Sequence, residues 1–163
     1  MRIPGHTELA IATQRPYVPE RLSLRSLLAY PAAGSNNSSA SNAAGEGCGA
    51  AEDDALLESI LIWCGLEAVL AKCGNSLDAP VGRLSGGEMQ RIAIARLRLR
   101  PPALAILDEP TANVEVAFEG KLFGWLSESR MTVVTVGHRA ELRQHHTHEL
   151  TIAADGKCTL RQL

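Results

Sequence analysis

Asp108 and Glu109 form an adjacent pair of carboxylates directly after an apolar run at positions 103–107. If that run is a buried strand, both carboxylates lie at the carboxyl edge of a sheet, where open α/β sheets bind ligands. Asp108 is suited to hold Mg²⁺ through water, because Mg²⁺ takes one or two carboxylates and keeps several of its waters. Glu109 is suited to orient and deprotonate an attacking water. The alternative is a solvated acidic turn, which the apolar run before the pair and Pro110 and Thr111 after it disfavour.

Ser85, Gly86 and Gly87 precede a helical pattern and could bind an anion. Glycines let the backbone approach a ligand closely, and the free N–H groups at a helix start, together with the helix dipole, favour phosphate. The Ser85 hydroxyl adds a donor. For this short string alone, the alternative is a plain serine N-cap followed by flexible glycines. Taken with the acidic pair, the turn indicates nucleotide hydrolysis.

Apolar periodicity predicts the elements that position these groups. Strands are expected at 9–12, 103–107 and 131–136, and helices at 22–30, 55–64, 66–73, 88–100, 116–129 and, briefly, 141–144. Residues 149–153 and 158–163 flank Asp155 and Gly156, which predicts a C-terminal β-hairpin. The alternation of strands and helices predicts an α/β protein with a mainly parallel sheet. A right-handed crossover between the last two strands would bring His138 to the edge that carries the acidic pair.

Composition narrows the functional classes. The chain has 163 residues, the length of one domain that can bury a real core. Its formal net charge of -2 argues against a general nucleic-acid binder, so no nucleic-acid partner is expected. Residues 34–51 are nearly all Ser, Asn, Ala and Gly, which predicts a disordered insertion. The spacing of Cys48, Cys64, Cys73 and Cys158 fits reduced thiols rather than a zinc site.

Four motifs in order resemble those of ABC-type ATPases. The string Leu-Ser-Gly-Gly-Glu-Met-Gln-Arg at 84–91 resembles their signature motif, and residues 104–111 resemble their Walker B strand with its catalytic glutamate. Gln14 is similar to the Q-loop glutamine, which senses the metal and the transmembrane partner, and His138 to the switch histidine, which contacts the γ-phosphate. Residues 112–115 occupy the place of the D-loop. The resemblance covers nearly all of the chain except 34–51.

The resemblance implies ATP and Mg²⁺ as cofactors and assigns the site residue by residue. Glu109 and His138 would be catalytic, and Asp108 and Gln14 would hold Mg²⁺, partly through water. The residues expected to contact nucleotide are Gln14, Ser85, Gly86, Gly87, Glu88, Asp108 and Glu115. In this family two nucleotide-binding domains enclose two ATP molecules. Ser85, Gly86 and Gly87, which we call the signature turn, would therefore contact ATP held by a second domain, in a homo- or heterodimer. The other residues would act on ATP held by their own domain.

One family motif is missing. The sequence contains no Gly-x-x-x-x-Gly-Lys-Ser/Thr, the P-loop that cradles the β- and γ-phosphates. We therefore expect a partial P-loop NTPase-like domain over 1–163 that lacks the Walker A segment. Its expected parts are a Q-loop region at 1–33, the insertion at 34–51, an α-helical subdomain with the signature at 52–100, and the Walker B, D-loop, switch histidine and hairpin at 101–163. Glu115 also departs from the aspartate that many members have in the D-loop.

Local strings are similar to the peroxisomal fatty-acyl transporters of subfamily D. They are Gln14-Arg15-Pro16-Tyr17, Tyr30-Pro31, residues 119–123, and Gly137-His138-Arg139 with His146-Thr147-His148. The likeness implies ATP-driven transport, with fatty acids or fatty acyl-CoA as candidate substrates. It also implies attachment to a membrane through a transmembrane domain, with the nucleotide-binding face cytosolic and the peroxisome as a candidate organelle. The alternatives are a non-transport ABC ATPase and an inactive fragment that lacks the P-loop, whether a regulatory half-site or an incomplete gene model.

Two smaller features have structural interpretations. Arg91 and Arg96 are expected on a solvated helix face or in local salt bridges. The cluster of His145, His146 and His148 has the residue type of a metal site, but the subgroup carries a similar string without an evident metal role. Metal binding by this cluster is therefore disfavoured.

Overall fold

The computed structural model describes residues 9–19, 21–30 and 53–163. It contains strands and helices in the predicted order, and most of their ends lie within two residues of the predicted ends. The strands are β1 (Leu9–Ala12), β2 (Leu104–Asp108), β3 (Thr132–Val136), β4 (His148–Ile152) and β5 (Cys158–Gln162). The helices are α1 (Leu24–Ala29), α2 (Asp54–Trp63), α3 (Glu67–Lys72), α4 (Gly86–Leu99) and α5 (Val116–Glu128), with a 3₁₀ helix at Ala140–His145. The predicted insertion at 34–51 and Cys48 lie outside the described residues.

The first three strands form a parallel sheet in the order β1-β2-β3. Ala12 pairs with Leu107 at the end of β1, and Asp108 pairs with Val136 at the ends of β2 and β3. Parallel pairing brings all three carboxyl ends to one edge, so the loops that follow them are neighbours. The α/β fold class with a mainly parallel sheet is confirmed.

A hydrophobic core joins the sheet to the helices. Ala105 and Leu107 of β2 are buried, and Phe123 and Leu122 of α5 belong to the same buried cluster. The helical part contributes fully buried side chains from α1, α2, α4 and the turn after α2: Leu24, Leu27, Leu57, Leu61, Leu66 and Ile92. This core fixes α4, and therefore the signature turn, against the strand that carries the acidic pair.

Helix α4 begins at Gly86, two residues before the predicted start at 88. Ser85 is the N-cap: its Oγ accepts a hydrogen bond from the Glu88 N–H (3.2 Å), and the Glu88 carboxylate accepts one from the Ser85 N–H (2.7 Å). This reciprocal capping box satisfies free donors of the first turn and sets the helix start, despite the low helix propensity of the two glycines.

Arg91 and Arg96 were expected on a solvated face or in local salt bridges, and both instead donate to main-chain carbonyls. Arg96 donates through Nε to the Leu27 carbonyl (2.7 Å) and through Nη1 to the Tyr17 carbonyl (2.9 Å), and burial lowers its pKa. Arg91 donates to the Cys64 carbonyl at the end of α2 (2.8 Å). Helix ends and loops leave carbonyl groups without partners, and guanidinium groups on α4 satisfy them. The prediction was wrong because periodicity counts arginine as a solvent-facing residue.

The C-terminal hairpin is confirmed as an antiparallel pair, β4 with β5, that forms its own sheet. Its apolar side chains Leu150, Ile152 and Leu160 are all exposed. Among the described residues, Cys64, Cys73 and Cys158 are free thiols, and burial raises the pKa of Cys64 to about 12. Within the same residues, no helix is both long and apolar enough to cross a membrane.

Candidate active site

Three predicted site residues converge at the carboxyl edge of the sheet. Gln14 follows β1, Glu109 follows β2 and His138 follows β3. The Gln14 Nε2 donates a hydrogen bond to Glu109 Oε2 over 2.7 Å, and His138 Nδ1 lies 3.2 Å from Glu109 Oε1. The two oxygens of one carboxylate thus face an amide from one neighbouring loop and an imidazole from the other.

Glu109 adopts an unusual backbone conformation. Its φ is +44°, in the left-handed region that a residue with a Cβ rarely enters. Its N–H donates to the Val136 carbonyl (2.9 Å), so the pairing of β2 with β3 continues as far as Glu109. Strain of this kind is typical of functional sites and costs about 1–3 kcal/mol. It lets the chain leave β2 while the Glu109 carboxylate stays at the edge.

Exposure differs across the cluster. The Glu109 side chain is 28% exposed and that of His138 is 77% exposed. A partly shielded carboxylate beside an exposed imidazole suits a ligand that arrives from solvent and meets the histidine first. Glu109 and His138 also line a cavity of about 20 Å³, which is enough space for one water molecule.

Asp108 and Gln14 have the donor types that Mg²⁺ takes. Asp108 ends β2 in a partly exposed position, one residue before Glu109. Because the Gln14 amide nitrogen donates to Glu109, its amide oxygen is the atom that could face a cation. The described residues contain no cluster of three or more acidic, histidine or cysteine side chains that could hold a metal ion. One carboxylate with an amide nevertheless fits Mg²⁺, which completes its shell with water and phosphate oxygens.

The signature turn presents a helix start to solvent. Ser85 and Gly86 are exposed, and α4 extends for 14 residues behind them. The Glu88 carboxylate is held by the Ser85 N–H and, at 3.2 Å, by Lys72 Nζ. Glu88 therefore stabilises the helix start, while its contact with nucleotide stays a prediction. The free backbone donors of this first turn can bind a phosphate.

Glu88 makes the stability of this turn depend on pH. Its hydrogen bond from the Ser85 N–H lowers the pKa of the carboxyl below the ordinary 4.5. A lowered folded-state pKa contributes stability above the unfolded pKa, and that stability is lost as the pH falls through the folded value. We expect the thermal midpoint of Glu88→Gln, which keeps an acceptor oxygen, to fall less between about pH 6 and pH 3 than that of the wild type. Glu58→Gln, at an exposed position of α2, is the control; parallel wild-type and Glu88→Gln curves would contradict the assignment.

Gly87 allows α4 to approach the D-loop residues 112–115 closely. A Cβ at this position would lie 2.7 Å from the carbonyl oxygen of Asn113, whereas a Cβ at Gly86 would meet only Asn113 Nδ2, at 4.0 Å. A backbone oxygen cannot yield as a flexible side chain can. The signature turn and the residues after Glu109 therefore touch directly.

Replacing these two glycines tests that contact. Gly87→Ala is expected to destabilise the fold by about 1–3 kcal/mol, because the added methyl overpacks the contact. Gly86→Ala is the matched control and should be neutral or stabilising by up to about 1 kcal/mol, since alanine favours helix. Urea unfolding of both variants measures the difference. Equal effects at the two positions would show that the close approach is absent.

Gln90 is a site residue that the sequence reasoning did not single out. It is only 2% exposed, and its amide contacts the loops that carry Gln14, Glu109 and Asn113. The sequence pattern could have indicated its burial, because Gln90 shares a helix face with Ile94 and Leu97, which are both buried. A glutamine in phase with an apolar face must find partners for its amide.

The loop with His138 is anchored on both sides. Gly137 lies close to the end of the Leu142 side chain, which would have to shift to admit a Cβ at this position. Arg139 Nη1 lies 2.7 Å from Glu119 Oε2, and the Glu119 side chain is 7% exposed. The histidine is thus held between a packed glycine and an ion pair with α5.

Glu115 and the histidine cluster lie apart from these contacts. Glu115 is the exposed residue before α5 and caps the helix without a side-chain hydrogen bond. The His146 ring nitrogens lie 2.9 Å from the Leu142 carbonyl and 2.9 Å from Thr135 Oγ1, and His145 stacks on Phe123. These contacts tie His145 and His146 to the local fold.

Comparison with known proteins identifies the family. Residues 6–112 match the ABC transporter family. The chain is 36% identical to an uncharacterised ABC transporter ATP-binding protein of Synechocystis over 94% of its own length and 21% of that protein's. It is 41% identical to human ATP-binding cassette sub-family D member 3 over 49% of its length and 12% of the relative's. The chain thus spans about a fifth or less of these relatives.

A solved structure supports the same fold. The chain superposes on a bacterial Atm1-family ABC exporter with ATP bound, with a TM-score of 0.64 and 21% identity, over 88% of this chain and 23% of the exporter chain. The match at that identity concerns the fold, and the sequence family comes from the match over residues 6–112. The chain therefore belongs to the ABC transporter family and has the fold of its ATP-binding domain.

Proposed function

We propose that this chain carries the hydrolytic residues of an ABC transporter ATPase. Glu109 is the general base for the attacking water, and His138 contacts the γ-phosphate. Asp108 and Gln14 would hold Mg²⁺, which would neutralise phosphate charge. The observation that carries the proposal is the convergence of Gln14 and His138 on the two oxygens of the Glu109 carboxylate.

Each side chain has a defined task in this proposal. The Gln14 amide fixes the rotation of the carboxylate by its 2.7 Å hydrogen bond, so that the other oxygen is presented towards His138. That oxygen accepts the proton of the water as the water oxygen bonds to the γ-phosphorus and the bond from that phosphorus to the leaving ADP oxygen breaks. The imidazole, which is mostly exposed, meets the transferred phosphoryl group and stabilises its charge.

The groups that bind the β- and γ-phosphates must come from a segment with a P-loop, because this sequence contains no P-loop motif. Strand β3 is an edge strand of its sheet, and its Val134 and Val136 are 47% and 54% exposed. Ile11, Ile106 and Val134 are in register, so one face of the sheet carries an apolar row. An apolar sheet face beside a free strand edge suits the packing of a further strand and helix. We propose that the P-loop segment packs there.

The signature turn serves a second nucleotide in this proposal. Ser85 and Gly86 are exposed on α4, whereas Glu109 lies at the sheet edge. The turn of one domain would bind the γ-phosphate of ATP held by its partner, so hydrolysis requires two domains. Glu88 supports the turn through its capping hydrogen bonds. Glu115, exposed at the start of α5, would contact nucleotide in this proposal.

Transport is proposed at two levels. The family supports coupling of ATP hydrolysis to transport, with this chain on the cytosolic side of a transmembrane domain. A cavity of about 620 Å³ is lined by Val18 and Pro19, from the loop after Gln14, and by Val81, Leu84 and Met89 near the signature. We propose that the transmembrane domain contacts this cavity. The finer proposal, a fatty-acyl substrate and a peroxisomal membrane, is supported by the likeness to sub-family D over half of the chain.

Calorimetric titration with Mg-ATP tests the hydrolytic assignment. We expect the chain alone to bind ATP only weakly. After a P-loop segment is supplied, by fusion or by co-expression, it should bind and hydrolyse ATP. Tight binding without a P-loop would contradict the proposal, and so would an inactive assembly that binds ATP well.

A further inference from the structure

Gln90 lies in the interior between three functional loops. Its Nε2 donates to the Gln14 carbonyl (3.2 Å) and to the Glu109 carbonyl (3.4 Å), and its Oε1 accepts from the Asn113 N–H (3.1 Å). The side chain belongs to α4, one turn after the exposed signature residues. It is one of three buried polar residues among those that the structure describes, with Thr111 and Glu119.

The amide uses both of its donors and its acceptor oxygen with these partners. A glutamine side chain offers two N–H donors on one atom and an acceptor oxygen on the other. Here both donors meet carbonyls and the oxygen meets an N–H, all from the main chain. Glutamate, which has the same length, would place a second oxygen acceptor where glutamine has its N–H donors. Methionine would offer neither an N–H donor nor an oxygen acceptor. A residue whose only task was to fill the core would not need this pattern.

The three partners belong to parts of the site with different tasks. The loop of Gln14 is proposed to sense the metal, Glu109 is the proposed base, and Asn113 also touches Gly87 of the signature turn through its carbonyl. Since the bonds go to the main chain, Gln90 sets the position of the segments themselves. The Glu109 main chain is held in a left-handed conformation, where it needs support from its surroundings.

We infer that Gln90 is a positioning residue that ties the hydrolytic base to the signature helix. A displacement of α4 when its exposed turn binds a phosphate is transmitted through the Gln90 amide to the main chain of Gln14 and Glu109. The nucleotide at the signature turn thereby influences the orientation of the base that acts on the other nucleotide. This inference rests on the proposed function, because it assigns Gln90 a role in the hydrolysis carried out by Glu109.

Two substitutions test the role in the assembled, ATP-hydrolysing protein that contains this chain. Gln90→Glu keeps the length and one acceptor, and Gln90→Met keeps the length without polar atoms. We expect both to lower kcat about 100-fold, the effect of displacing a catalytic group by roughly 1 Å, with KM for ATP changed less than about 2-fold. Gln144→Glu, at an exposed glutamine, is the matched control and should retain wild-type kcat.

A double-mutant cycle separates positioning from a general loss of stability. If Gln90 acts through Glu109, Gln90→Met should slow single-turnover hydrolysis less than about 3-fold further in the Glu109→Gln background. An undiminished effect of Gln90→Met in that background would overturn the inference. So would kcat of Gln90→Met near that of the wild type, or unfolding of both Gln90 variants, which would make the residue a core element only.

The same set of variants distinguishes failure of the Gln90 role from failure of the proposed function. If Glu109→Gln stops hydrolysis while both Gln90 variants stay active, the role of Gln90 fails and the proposed function stands. If Glu109→Gln hydrolyses ATP at the wild-type rate, the proposed base is wrong and the role of Gln90 falls with it.

Discussion

Glu109→Gln should abolish steady-state ATP turnover in the assembled transporter while leaving ATP-driven association of the two domains intact. Loss of general-base catalysis alone costs about 10²–10⁴-fold in rate. Glutamine has the same shape, and its Oε1 can still accept the Gln14 amide hydrogen bond while its Nε2 faces His138. The variant therefore removes the proton acceptor and little else. Phosphate release and size-exclusion chromatography with Mg-ATP measure the two expectations.

A matched control isolates the chemistry of that site. Glu128→Gln makes the same change at an exposed position near the end of α5 and should hydrolyse ATP at the wild-type rate. Normal hydrolysis by Glu109→Gln would reject Glu109 as the base. Loss of both hydrolysis and association would show that the carboxylate serves ATP binding instead.

Arg139→Met is expected to destabilise the fold by about 3 kcal/mol, near the low end for removing one partner of a buried ion pair. The Glu119 carboxylate is 7% exposed and would lose the guanidinium that lies 2.7 Å away. The low end applies because the Arg139 side chain is 35% exposed and reaches water. The loop with His138 should loosen as well, so activity should fall more than the folded fraction. Urea unfolding and ATPase assays give the two quantities.

The ion pair has its own internal control. Adding Glu119→Leu to Arg139→Met removes the uncompensated charge and should restore most of the lost stability, because an apolar pair of similar volume can replace a buried ion pair. Activity should recover less than stability, since the loop anchor stays absent. A double variant no more stable than Arg139→Met alone would show that the cost does not arise from the buried carboxylate.

The sheet and the edge that carries the candidate site could be predicted from the sequence. Short apolar runs at 9–12, 103–107 and 131–136 have strand length, and a helical stretch separates the last two. The preference for right-handed crossovers then places Glu109 and His138 at one edge, as observed. Capping was partly predictable: Ser85 followed by Glu88 is a capping-box spacing, and it places the start of α4 at Gly86.

The side-chain pairing of the site could not be derived from periodicity. Gln14 and Glu109 are 95 residues apart, and no local pattern predicts that an amide and a carboxylate at that separation share a hydrogen bond. The left-handed φ of Glu109 likewise depends on tertiary contacts, since sequence propensity disfavours it. Arg96 shows the same limit, because a hydropathy pattern ranks it as a surface residue; for Gln90 the pattern indicates burial but not the groups that its amide contacts. Each is held inside by carbonyl groups of distant segments.

A structure of the assembled Glu109→Gln variant trapped with Mg-ATP would show directly which nucleotide each group of site residues contacts. We expect residue 109 and His138 at the γ-phosphate of the nucleotide bound to their own domain, with Asp108 and Gln14 on the metal side. We also expect Ser85 and Gly86 at the nucleotide of the partner domain. A γ-phosphate remote from residue 109, or Ser85 and residue 109 of one chain meeting at the same nucleotide, would contradict these assignments.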